Sequence, residues 1–394
     1  MKKKALIYFI GFADSFGGAE YLPLLFVKWL QSKYDVTMAV NWIPCDPYRA
    51  VEAYDVELDF KALKFVELKP KSRFCQKLDA VIPFFSVRRL QRLAKDADLC
   101  ISCANMIDFG RPAHHFIYLL NRFGDNAFID YYSHAAPLTG KALFTRLLRT
   151  FLAESVLRPL LRCRSARKML ADPRERFYAT SDYVADTMRG FYGTFNNETF
   201  YPPTVFEFDG APTVPRDPLS VIYIGRISAL KKVREIIVIV ERARAISGLG
   251  LKLRIAGAMD ANAYVEGVRA MAAERPWIEL PGPLYNEAKR DFILGGTFAL
   301  HACRCETLGI SVVEYLKAGV IPVVPDEGGV NEVVAEPDLA YADDETAARI
   351  LARLATDDAF RGEMARRCAA RSHVFSRDAY LKRQSDLLER IAGT

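Results

Sequence analysis

Residues 298–324 read FALHACRCETLGISVVEYLKAGVIPVV. Positions 298–302 are a short apolar run of strand length. Positions 310–318 have apolar residues at helical spacing, and 320–324 return to a strand. A buried strand, a crossover helix and a second buried strand make one unit of a parallel sheet, because parallel neighbours need such a connection. The same alternation extends in both directions. Towards the N-terminus it predicts strands at 220–224, 251–256 and 278–280, with helices at 233–247, 264–274 and 287–294. In the first half it predicts strands at 4–10, 36–40, 63–68, 98–102, 128–132 and 177–179, with helices at 19–32 and 81–95. One last amphipathic helix is expected over 378–391.

At 394 residues the chain is too long for one ordinary core. Residues 209–218 hold three prolines and a glycine, which neither a helix nor a central strand tolerates. The expected organisation is therefore an α/β chain of two doubly wound domains. These are an N-terminal domain over 1–208, a linker over 209–218, a C-terminal domain over 219–375 and a terminal helix over 376–394 that can pack back on the first domain. Ligands of such sheets sit at the carboxyl ends of the strands.

Composition narrows the class. Half of the residues (51%) are hydrophobic and 26% are charged, as in globular proteins. No apolar stretch approaches the roughly 18 residues of a membrane span. The basic start Met1-Lys-Lys-Lys4 runs into only about six apolar residues, too few for a signal peptide, so a buried first strand is expected. The eight cysteines form no disulfide framework. The close pairs Cys100/Cys103 and Cys303/Cys305 are read as reduced thiols of a cytoplasmic protein without a metal site. The net charge of +6 lies entirely in residues 1–210, and positions 141–168 hold eight basic side chains against one acid, Glu154. Nucleic acid or an anionic membrane face would each account for such a patch. The apolar spacing within it suits an interfacial helix, or a core-packed helix with a solvated basic face. A peripheral position at the inner membrane face without a nucleic-acid partner is the expectation.

The loop–helix junction of the opening stretch carries chemistry. The N–H groups of Leu308, Gly309 and Ile310 stand at a helix start, where the dipole favours an anion such as a diphosphate. Carboxylates so close to a diphosphate would repel it, so they should accept hydrogen bonds from hydroxyls. Glu314, a turn into the helix, reaches a ribose; Glu306, in the loop, reaches a sugar. Upstream, a buried strand ends in Gly225-Arg226, with Lys231 five residues on. Two cations there can offset the charge a departing diphosphate gains.

These features resemble the retaining glycosyltransferases of family 4. Glu306 and Glu314 have the family's Glu-x7-Glu spacing, and Gly225-Arg226-x4-Lys231 precedes them. Gly17-Gly18-Ala-Glu20 resembles its N-terminal glycine loop. Tyr131-Tyr-Ser-His134-Ala-Ala-Pro137 resembles a segment found especially in mannosyltransferases that extend lipid-linked oligosaccharides. Thr180-Ser181-Asp-Tyr183, Tyr201-Pro202-Pro203 and Gly328-Gly329 with Glu332 add matches along most of the chain. His301-Ala302 departs from a frequent Pro-Ser pair and Thr307-Leu308 from Gly-Phe, while Lys232 leaves the lysine ambiguous by one position.

The resemblance implies a GT-B fold with two Rossmann-like domains facing across a cleft. It also implies transfer of a hexose from a nucleotide-diphosphate sugar, such as GDP-mannose or a UDP-sugar, to a glycan acceptor. Arg226 and Lys231 would bind the diphosphate, Glu314 the ribose and Glu306 the sugar. His134 would lie near the reacting carbon, and Gly17 and Gly18 under the donor or acceptor. No metal or other cofactor is expected; Asp96-Ala-Asp98 precedes a strand instead of following one. An epimerase or hydrolase on the same fold, or a non-catalytic module that binds nucleotide sugar or lipid, remains an alternative.

Overall fold

The computed structural model describes residues 2–11, 18–42, 56–68, 82–118, 120, 128, 139–204, 206–208 and 215–393. The chain divides into two compact units, Met1–Pro202 and Pro203–Thr394.

The first unit begins with β1 (Lys3–Gly11), α1 (Gly18–Leu30), β2 (Tyr34–Trp42), β3 (Lys64–Glu67), α2 (Ile82–Ala94) and β4 (Leu99–Ser102). It continues with β5 (His114–Ile117), α3 (Gly140–Phe151), α4 (Ala166–Leu170), β6 (Arg176–Ala179), α5 (Asp182–Tyr192) and β7 (Asn197–Thr199). Its seven strands run parallel in the order β3-β2-β1-β4-β5-β6-β7. Ala5 through Phe9 are all buried, as a parallel sheet covered on both faces requires. Asp98 fixes the sheet's start by accepting the Lys4 N–H at 2.7 Å.

One strand lies elsewhere than the pattern predicted. The strand beside β4 is β5, whereas Phe128 is helical and packs its ring on Phe191 and Tyr192. Residues 129–132 of the expected strand fall outside the described residues. Two adjacent histidines disguised β5. His115 is fully buried because Glu175 lies 3.0 Å from its Nε2. Arg164, 2.6 Å from Glu175, offsets the carboxylate.

The second unit begins with β8 (Ser220–Ile224), α6 (Val233–Ser247), β9 (Lys252–Ala256), α7 (Ala263–Ala273), β10 (Ile278–Gly282), α8 (Asn286–Leu294) and β11 (Phe298–Leu300). Then come α9 (Ile310–Lys317), β12 (Ile321–Pro325), α10 (Gly329–Val334), β13 (Ala340–Tyr341), α11 (Asp344–Thr356), α12 (Asp358–Ser372) and α13 (Arg377–Gly393). Its six parallel strands are ordered β10-β9-β8-β11-β12-β13. After β8 the chain winds outward through β9 and β10, then returns to place β11 on the other flank of β8. The carboxyl ends of β8 and β11 are thus a topological switch point, where loops diverge and leave room for a ligand. No described helix is long and apolar enough to cross a membrane.

Candidate active site

Two loops leave that switch point. The loop after β8 carries Gly225, Arg226 and, in a short 3-10 turn, Lys231. The loop after β11 carries His301, Cys303, Cys305 and Glu306, and ends at Gly309, the N-cap of α9. Tyr315, on α9 and buried, ties the two together: its hydroxyl accepts the Ile224 N–H at 2.7 Å.

Gly309 has φ 86° and a Cβ there would lie 2.5 Å from Val330 Cγ1, so a larger residue is excluded by strain and by space. The glycine pair at the start of α10 packs on the same loop. A Cβ on Gly328 would meet the Arg304 carbonyl oxygen at 2.4 Å, and one on Gly329 the Thr307 oxygen at 2.2 Å. Gly329 N–H donates to the Glu306 carbonyl at 2.7 Å. These close backbone contacts hold the Glu306 loop in place. Among the described residues, no group accepts a hydrogen bond from the N–H of Leu308, Gly309 or Ile310, which leaves three donors at the start of α9.

The charges meet as follows. Lys231 donates from Nζ to Glu306 Oε2. Lys231, not Lys232, is thus the lysine that meets Glu306; Lys232 adopts a left-handed conformation at the N-cap position of α6. His301 is buried, with Nε2 3.4 Å from the same Glu306 oxygen. Burial pushes the Glu306 carboxyl up, but His301 and the Lys231 ammonium outweigh it and hold the acid at about 2. Glu306 is therefore an ionised acceptor at neutral pH. Arg226 is exposed, without a side-chain partner among the described residues.

Glu314 is 1% exposed and accepts from Lys289 Nζ at 2.7 Å through Oε1. Among the described residues its Oε2 has no hydrogen-bond partner. Burial raises its carboxyl above the ordinary range, against the pull of Lys289. Lys289 was not singled out in the sequence, where one lysine on an exposed helix has no signature; only the packing of α8 near α9 reveals it.

The sequence reading also missed a cluster. His301, Cys303 and Glu306 bring one ligand atom each to within 4.8 Å of one another. The available signal is the spacing His301-x-Cys303-x-Cys305-Glu306, of which only the Cys303/Cys305 pair enters the sequence reading, as reduced thiols without a metal site. Of the other expected site residues, His134 and Gly17 lie outside the described residues, and Gly18 opens α1.

The basic stretch of the first unit is helical, from α3 through a π-helical segment, Leu152–Leu157, to Arg158–Leu160. Eight large apolar side chains on it are exposed, among them Phe144 (67%), Leu147 (59%), Phe151 (59%) and Leu160 (72%). Phe144, Leu147, Leu148 and Phe151 follow i, i+3, i+4, i+7 spacing and so share one face. Not every base is available to a partner. Arg158 is held by Glu154 and by the Arg164 carbonyl, and Arg164 by Asp108, Asp172 and Glu175. Lys141, Arg162 and Lys168 are exposed.

Comparison with known proteins agrees with this fold. A family model described as glycosyl transferases group 1 matches residues 206–373. No curated protein matches the chain. Among solved structures, WaaG, described as a glycosyltransferase involved in lipopolysaccharide biosynthesis, aligns with a TM-score of 0.68 at 13% identity over 99% of this chain and 100% of its own. Anabaena HepE in complex with UDP and glucose aligns with a TM-score of 0.67 at 14% identity over 98% of this chain and 100% of its own. The pneumococcal O-GlcNAc transferase GtfA in complex with UDP and GlcNAc aligns with a TM-score of 0.68 at 9% identity over 100% of both chains. At such identities the likeness fixes the fold. The chain has the GT-B fold of two Rossmann-like units, and its second unit, over residues 206–373, matches the glycosyl transferases group 1 model.

Proposed function

We propose that this protein is a retaining glycosyltransferase that moves a hexose from a nucleotide-diphosphate sugar to a glycan acceptor carried on a lipid at an anionic membrane surface. One observation carries the reading: Lys231 meets ionised Glu306 between the loops that leave β8 and β11, and the helix α9 that follows opens with three unbonded N–H groups and carries Glu314, whose Oε2 has no partner among the described residues. That set offers cations and amides to a diphosphate and carboxylate acceptors to hydroxyls. The family match over this unit and the UDP bound in HepE and GtfA support a nucleotide-sugar donor.

In this scheme Arg226, Lys231 and the N–H groups of Leu308, Gly309 and Ile310 stabilise the departing diphosphate. The donor phosphates compete with Glu306 for Lys231. Glu306, so released, accepts from the transferred sugar, and Glu314 accepts from the ribose through Oε2. His134 acts near the reacting carbon, and Gly17 and Gly18 lie under the donor or acceptor. The acceptor oxygen enters on the face the diphosphate leaves, which retains configuration, and no metal takes part. The exposed apolar face of α3 and its continuation supports a lipid-linked acceptor: such a face suits the bilayer interface, and Lys141, Arg162 and Lys168 complement anionic headgroups.

The test is a thermal-shift screen of UDP- and GDP-sugars, followed by product analysis with and without acceptor. A donor that raises the melting temperature, with acceptor-dependent product of retained anomeric configuration, supports the reading. Free sugar released equally without acceptor makes the protein a hydrolase, an epimerised nucleotide sugar makes it an epimerase, and binding without turnover makes it a binding module.

A further inference from the structure

We propose that His301, Cys303 and Glu306, with Cys305 as a fourth donor, form a site for a thiophilic divalent cation of the zinc type, whose occupancy switches the donor site off. The geometry already matches tetrahedral coordination along two edges. With metal–nitrogen and metal–oxygen bonds of about 2.0 Å and metal–sulfur bonds of about 2.3 Å, the N···O edge is about 3.3 Å and the S···S edge about 3.8 Å. His301 Nε2 and Glu306 Oε2 are 3.4 Å apart, and Cys303 Sγ and Cys305 Sγ 3.9 Å. One atom each from His301, Cys303 and Glu306 lies within 4.8 Å of the others, so modest side-chain rotation closes the edges among these three, whereas Cys305, which touches the cluster through Cys303 alone, has to swing in to serve as the fourth donor.

A second observation concerns the ring itself. His301 is 3% exposed, and among the described residues its Nδ1 has no partner while its Nε2 has only the 3.4 Å contact to Glu306 Oε2, which is not a well-formed hydrogen bond. A buried imidazole normally has a partner, and a metal ion supplies one. The place also favours a cation, since the Lys231 ammonium occupies it at Glu306. The partly exposed Lys231, Cys305 and Glu306 give a route in from solvent.

Binding forms metal–sulfur, metal–nitrogen and metal–oxygen bonds, releases one proton to solvent from each thiol that ligates, and displaces Lys231 from Glu306. Thiolate, imidazole and carboxylate together select a borderline-soft ion over magnesium. Switching off rests on the transferase reading above, because it removes Glu306 from the sugar. The metal site itself does not rest on that reading.

The experiment uses the full chain, reduced and stripped with chelator, titrated with Co2+. The expected result is one equivalent bound, with a thiolate-to-cobalt charge-transfer band and intense tetrahedral ligand-field bands, both abolished by Zn2+. Cys303→Ser should weaken binding roughly 100-fold or more, beyond the 10–100-fold typical of an outer-shell partner. Because Cys303 is buried, the half-exposed Cys305→Ser is the second variant; it should remove part of the charge-transfer intensity, whereas Cys368→Ser leaves the spectrum unchanged. Zn2+ should inhibit transfer and EDTA should restore it. Absence of charge-transfer absorption in the wild-type protein at millimolar Co2+, or a spectrum insensitive to both Cys303→Ser and Cys305→Ser, overturns the site. Cobalt binding without transfer under any condition leaves the metal site standing and removes the transferase reading, while transfer unaffected by bound Zn2+ removes the switch alone.

Discussion

Phe144, Leu147 and Phe151 present about three-fifths of their surface to solvent on one face of α3. Replacing all three by Ser tests whether that face meets lipid. Full burial of such a side chain is worth roughly 1.5–3 kcal/mol. Three of them at three-fifths exposure therefore give roughly 3–5 kcal/mol on complete immersion. An interfacial helix immerses about half of its flank, which leaves about 2 kcal/mol, or a roughly 30-fold loss in vesicle partitioning at 1.4 kcal/mol per tenfold. The exposed bases Lys141, Arg162 and Lys168 contribute about 1 kcal/mol each near anionic lipid, screened beyond about 8 Å at physiological ionic strength. The assay is sedimentation with anionic and with neutral liposomes at low and at physiological salt. The wild-type protein should pellet with anionic vesicles in a salt-sensitive manner, and the triple variant about 30-fold less well. Transfer to a lipid-linked acceptor should fall in parallel, while transfer to a short soluble acceptor stays close to wild type. Equal partitioning of wild type and variant, or no wild-type binding at low salt, would refute the reasoning.

Three further predictions concern the site and the fold. Glu314→Gln should weaken donor binding, because a buried ribose acceptor is lost, whereas Glu306→Gln should chiefly lower turnover; calorimetric donor affinity and kcat unchanged in both variants would contradict the assignment. Transfer should survive EDTA, since Arg226, Lys231 and backbone amides neutralise the diphosphate; activity abolished by EDTA and restored by Mg2+ or Mn2+ would show a required metal. Burial, helped by the nearby His115 and Arg176, pushes His114 down to about 4 from its ordinary 6.5. Between those values the unfolded chain binds a proton that the folded chain refuses, so stability should fall as pH drops from about 6.5 to 4. The ceiling is about 3 kcal/mol at 1.36 kcal/mol per pKa unit, and urea titrations that give His114→Gln the same pH slope as wild type would exclude this cause.

Much of the fold was legible because parallel strands and crossover helices leave a periodic trace. The strands at 4–10, 98–102 and 220–224 and the helix at 233–247 lie within a residue or two of β1, β4, β8 and α6. The reading failed at β5, because the polarity of His114-His115 hides a strand whose second histidine is buried against a glutamate 60 residues away. A strand was assigned to the apolar run from Phe128 instead. The short α10 and the polar α12 were missed because their apolar stripes are brief or narrow, and α11 because three of its five buried residues are alanines, which mark no strong apolar face.

By itself the sequence determined the two-domain α/β character and the residue types placed on the loops after β8 and β11. Each of these follows from local propensity and spacing, which act between near neighbours in the chain. Only the tertiary structure decided which groups meet. It joined Lys231, rather than Lys232, to Glu306 across 75 residues, set Lys289 on Glu314, and turned Arg158 and Arg164 towards carboxylates of their own unit. It also gathered His301, Cys303 and Glu306 around one point. A charge pair or a ligand cluster has an energy only at contact distance, and contact distance between loops is set by the order of the strands that carry them. That order, β9-β8-β11-β12, is a property of the packed sheet and leaves no mark on the residues between.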